Sequence, residues 1–115
     1  FNNSPFLGYR SFYKSELKMY HRQLTLLIDD LKTWVNYSSP DLKTKGSLET
    51  KIFDQSNTIP ILKDAIYSDL WKFADTLALG FNNELVDFQK RICVTDMLKV
   101  SEELLFELRK TINNI

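Results

Sequence analysis

Acid–base or metal chemistry on a helix needs a second titratable group three or four residues away, and His21, the one histidine of this chain, lacks it. Those positions hold Leu24 and Thr25, where a metal or catalytic site would place His, Cys or a carboxylate. The expectation for His21 is a structural side chain, half-buried or facing solvent. The carboxylate pairs Asp29-Asp30 and Glu102-Glu103 are sequence neighbours, so on a helix they diverge by about 100° and cannot share one proton or one ion. Asp64, Asp69 and Asp75 have no Glu-x-x-His companion of the kind that di-metal bundles use. Glycines at 8, 46 and 80 lie too far apart to form a phosphate loop. Cys93, between Ile92 and Val94, reads as a small buried hydrophobe. The chain therefore points away from an enzyme, with no cofactor and no metal.

One group of residues does carry collective chemistry. Arg10, Lys14, Lys18 and Arg22 recur every four residues, which places them along one slowly drifting side of a helix. Such a row can meet anionic lipid or an acidic protein, with Lys90 and Arg91 as further candidates, or it can be a solvated face paired with Glu16 and Asp29. Fifteen basic against fifteen acidic residues give no net charge, which argues against nucleic acid, whose binding domains are usually basic. The charge is uneven: residues 1–36 carry five cations and three anions, residues 58–89 two and five. That polarity suits attraction between segments or a polarised surface.

The elements that must position these groups are helices. Tyr13, Leu17, Tyr20, Leu24, Leu27, Leu31 and Trp34 follow spacings of 4, 3, 4, 3, 4 and 3, a heptad seam that requires another helix, from this chain or a partner, lying along it. A helix is expected over about residues 8–36, ended by Asn36, Ser38-Ser39 and Pro40. Residues 37–58, with Pro40, Gly46 and several Ser and Thr, read as a loop holding one short helical turn near Leu48–Phe53. Thr58 or Asn57 is expected to cap the next helix, with Pro60 in its first turn.

From there the stripe Leu62, Ile66, Leu70, Phe73, Leu77, Phe81, Leu85, Phe88 and Ile92 keeps helical spacing. Breaks are open at Gly80-Phe81-Asn82-Asn83 and at Val94-Thr95-Asp96, before the series Leu98, Leu105, Leu108, Ile112 and Ile115. If both are passed through, the helical region of residues 59–114 completes a long antiparallel hairpin that must dimerise. If both are breaks, the chain is an up-down bundle that closes on itself. Either way the expectation is one all-α domain over residues 1–115, a fragment of a larger protein. The N-terminal aromatics Phe1, Phe6, Tyr9, Phe12 and Tyr13 exceed what one helix face can bury, so a partner or second copy should cover them.

Some of these segments are similar to a known family. Glu16-x-x-x-Tyr20-x-x-x-Leu24-x-x-Leu27, then Gly46-Ser47-Leu48, Phe73-Ala74-x-x-Leu77 and Asn83-Glu84-Leu85-Val86-Asp87-Phe88 together resemble the F-BAR branch of the membrane-curving BAR superfamily. Tyr13-Lys14-Ser15 stands where that family commonly has an Arg-Ala pair before the acidic residue. The resemblance implies a shortened module that dimerises and sits on anionic membrane. The residues themselves point first to a helical scaffold or adaptor that binds a protein partner or forms a homodimer. A lone cysteine fits a reducing compartment, so the location expected is cytoplasmic, with peripheral membrane contact as the alternative.

Overall fold

The computed structural model describes residues 14–37, 42–78 and 84–113. Within them lie five helices and no strand: α1 (Lys14–Val35), α2 (Leu42–Asn57), α3 (Pro60–Ala65), α4 (Tyr67–Ala78) and α5 (Glu84–Asn113). The all-α expectation holds. Arg10, Tyr13, the other N-terminal aromatics, the Gly80 segment and Ile115 lie outside the described residues.

The α1 seam is buried within the chain. Leu17, Leu24, Leu27, Leu31 and Trp34 are all nearly inaccessible, Tyr20 is half-buried, and Ile28 widens the stripe by one position. This face packs against α5 and α2, while α4 packs on the same two helices. Residue 21 of α1 meets residue 109 of α5, and residue 35 meets residue 91, so the two longest helices run antiparallel. The seam is therefore satisfied by the chain's own helices.

Residues 42–57 correct the sequence expectation of a loop, because they form a sixteen-residue helix. Local preference is poor there, with Gly46 and β-branched or hydroxyl residues at Thr44, Ser47 and Thr50. Two adjustments offset it. The Ser47 and Thr50 hydroxyls donate to the carbonyls of Lys43 and Gly46, returning their polar atoms to the helix they would otherwise compete with. Glu49, Ile52 and Ser56 are buried, so tertiary packing supplies what propensity does not.

The cap of α3 also differs from expectation. Ile59, extended and fully buried, occupies the N-cap without a side-chain hydrogen bond, and Pro60 follows in the first turn. Thr58 and Asn57 instead close the end of α2, donating to the carbonyls of Gln55 and Phe53. At Ile66 the backbone leaves helical geometry for one residue, yet its N–H still reaches Leu62 O and its own carbonyl receives Leu70 N–H. The chain thus bends between α3 and α4 while each buried amide keeps a partner.

α5 runs unbroken through Val94-Thr95-Asp96, which decides the second of the two positions the sequence left open. Thr95 is accommodated because its hydroxyl donates to Arg91 O. The apolar stripe read across residues 62–92 holds only as far as Leu77. Leu62, Ile66, Leu70 and Phe73 are buried, but Leu85, Phe88 and Ile92 are 66%, 61% and 47% exposed. The inward face of α5 is Val86, Lys90, Cys93, Val94, Met97, Ser101, Leu104 and Leu108. Two polar residues on that face and three apolar ones opposite explain why periodicity alone chose the wrong side.

Candidate functional site

At one end of the α1/α5 pair the indole of Trp34 collects charge. Its Nε1–H donates to Glu49 Oε2 at 2.9 Å, and Glu49 Oε1 receives Lys90 Nζ at 3.1 Å. Both members of the ion pair are nearly inaccessible, 4% and 5% exposed. Lys45 Nζ lies 4.9 Å and the Arg91 guanidinium 5.4 Å from the Trp34 ring centroid, cation–π contacts of about 0.5–2 kcal/mol each. Lys45 also binds Asp87 at 3.0 Å. Three helices, α1, α2 and α5, are thereby registered at one point.

This arrangement corrects the placement of Lys90 on a membrane surface, since a buried lysine paired to Glu49 cannot reach lipid. Arg91 is exposed but lies against Trp34. Sequence reasoning missed Glu49 because it fell in what read as one short helical turn within a loop, with no long helix to pack it against Trp34. A lysine amid apolar residues on a helical period was the only available signal.

At the opposite end, Lys14, Lys18 and Arg22 are exposed as expected, while Arg10 lies outside the described residues. The structure adds Arg109 from α5 to this group. Its Nε–H donates to His21 Nε2 at 3.1 Å, so the neutral imidazole carries its proton on Nδ1. Burial, followed by the adjacent Arg109 charge, holds the His21 pKa below the ordinary range. Lys18, His21, Arg109, Ile112 and Asn113 enclose an open groove of about 390 Å³. His21 is half-buried, and sequence could not have paired it with a residue 88 positions away.

A second groove, of about 490 Å³, lies between α4 and α5 and is lined by Lys72, Asp75, Thr76, Gln89, Ile92 and Cys93. Burial raises the pKa of the Cys93 thiol, and Asp69 raises it further, so the group stays protonated and unreactive. Burial and the nearby Asp96 charge likewise raise the Asp69 carboxyl. Among the described residues no three His, Cys, Asp or Glu side chains converge to hold a metal ion. No described helix is long and apolar enough to cross a membrane.

Leu85, Phe88 and Ile92 form an exposed row beside this groove, at positions i, i+3 and i+7 of α5. A separate aromatic cluster stands where α4 meets α2: Trp71 makes edge-on contacts with Phe53 and with Tyr67, at centroid distances of 6.5 and 6.1 Å. Comparison with protein-family models, with curated proteins and with solved structures finds no match. The functional reading accordingly rests on these surfaces.

Proposed function

We propose that this chain is a non-enzymatic helical scaffold or adaptor domain that meets a protein partner, or a second copy of itself, through the outer face of α5. The observation carrying this reading is the exposed row Leu85, Phe88 and Ile92. Its spacing is that of the anchors by which one amphipathic helix lies against another. Covering each such side chain contributes about 1.5–3 kcal/mol at most, enough for three together to drive a weak association. The α1 seam, which the sequence offered for this role, is already covered from within by α5 and α2. Helices that close on themselves leave their outer surfaces as the place for partners, and a cytoplasmic setting suits the single buried thiol.

Sedimentation equilibrium over a range of concentrations tests this reading. The expected result is a mass above the monomer that returns to the monomer in the variant Leu85→Glu/Ile92→Glu. A chain that stays monomeric throughout, and that captures no helical partner through this face, defeats it.

A different observation favours a second reading, contact with an anionic membrane, in line with the F-BAR resemblance. Lys14, Lys18 and Arg22 stand exposed on α1, and Arg109 joins them from α5. Near an anionic surface each cation contributes about 1 kcal/mol. Co-sedimentation with liposomes that is indifferent to anionic lipid content removes this reading.

A further inference from the structure

We propose that the groove between the start of α1 and the end of α5 is a discrete binding site for a phosphate-class dianion, held by Lys18, Arg109, His21 and Asn113. The inference stands apart from the interface placed on α5. It concerns one groove shared by α1 and α5, whereas the membrane reading needs only a diffuse basic row.

The argument starts from the lining. Of the five described residues around the groove, Lys18 and Arg109 are cations, His21 and Asn113 are neutral donors, and Ile112 forms an apolar wall. No carboxylate among the described residues lines it. Among the described residues neither Lys18 nor Arg109 forms an ion pair. Two cations held near each other without an anion repel, and a bound dianion converts that repulsion into two charge-assisted hydrogen bonds.

Geometry selects the class of anion. Arg109 commits only Nε to His21, which leaves four of the five N–H donors of a guanidinium for a ligand. The same bond fixes the imidazole tautomer, so that Nδ1–H remains a donor. Donors from two helices lining one groove suit the several oxygens of a tetrahedral anion better than the two of a carboxylate. The groove, open to solvent and of about 390 Å³, leaves room for a phosphate bearing a small substituent.

His21 reports on the site without a label, because the chain has one histidine and its ring resonances are unambiguous. Among the described residues the charged groups lining its groove are Lys18 on its own helix and Arg109 on α5, both cationic. An anion placed among them opposes both and raises the midpoint at which the ring takes up a proton.

The test is a titration of the intact chain with inorganic sulfate, a dianion throughout the histidine range, at ionic strength held constant with chloride. Inorganic phosphate is run in parallel. A saturable shift of the His21 signals with a raised midpoint is expected. Lys18→Gln and Arg109→Gln should each weaken affinity about tenfold or more, and Lys99→Gln, exposed on α5 outside the groove, should leave it unchanged. Phosphatidylcholine vesicles with and without phosphatidic acid separate the sources. A response to vesicles that requires Arg109 assigns a lipid headgroup, and a response to the soluble ions alone assigns a free phosphate compound. A shift that never saturates, or that Lys99→Gln weakens as much as Arg109→Gln does, overturns the site in favour of general charge screening.

Discussion

Glu49 is the residue at which stability is most exposed to a single change. Its carboxylate serves Trp34 and Lys90 at once, at 2.9 and 3.1 Å, in a place water does not reach. Taking two charges out of water costs several kcal/mol per ion, so the pair is weak evidence of net stabilisation, yet breaking it leaves a charge buried without its counterpart. Lys90→Met is expected to lower stability by about 3–5 kcal/mol. Adding Glu49→Gln to it should recover much of that loss, because the amide still accepts from Trp34 while no charge is left behind. Urea unfolding of both singles and the double variant checks this through the coupling energy. His21 carries the second prediction at this scale. Its folded pKa lies below the unfolded value, so the unfolded chain binds the proton more readily. Stability contributed here is present above about 6.5, the ordinary histidine value, and is lost as pH falls towards the folded midpoint. Arg109→Gln removes the repelling cation and should move the His21 midpoint upward, which ring proton shifts followed against pH record directly.

Among the elements, α2 shows tertiary structure overriding local preference. Gly46 sits inside this helix with open space where a side chain would project. The glycine there carries the entropy cost of its flexible unfolded state and gains nothing from it. Gly46→Ala is therefore expected to stabilise the chain by about 0.5–1 kcal/mol, read as a rise in the thermal midpoint. No rise would mean that the helix depends on something other than its backbone and buried face. α5 illustrates the opposite case, an element plain in the sequence whose facing was not. Lys90 and Ser101 point inward while Leu85, Phe88 and Ile92 point out, an inversion that no count of apolar positions resolves.

Taken whole, the chain is elongated, with extents of 46 × 22 × 18 Å and a radius of gyration of 15.1 Å, against about 13 Å for a compact chain of this length. An elongated body separates its surfaces. The apolar row lies toward the Trp34 end of α5, and the cationic groove lies at the other end. The two surfaces should respond differently to salt, since apolar burial is little screened whereas attraction between exposed charges fades within about 10 Å at 0.1 M salt. Raising the salt concentration is expected to leave any association through Leu85, Phe88 and Ile92 intact and to release the chain from anionic vesicles. Sedimentation equilibrium and vesicle co-sedimentation at low and high salt measure the two independently, and association that dissolves with salt would count against the α5 row.

The heptad spacing from Leu17 to Trp34 was legible in the sequence because helix packing is periodic and α1 buries one continuous stripe. The all-α class followed from it, as did the exposed row Lys14, Lys18 and Arg22. What residue order could not contain were meetings across long separations: Glu49 with Lys90, 41 positions apart, and His21 with Arg109, 88 apart. The helix at residues 42–57 and the outward facing of Leu85, Phe88 and Ile92 belong with those meetings. Each depends on which charge or apolar surface a neighbouring helix presents, and that free energy exists only once the helices have come together.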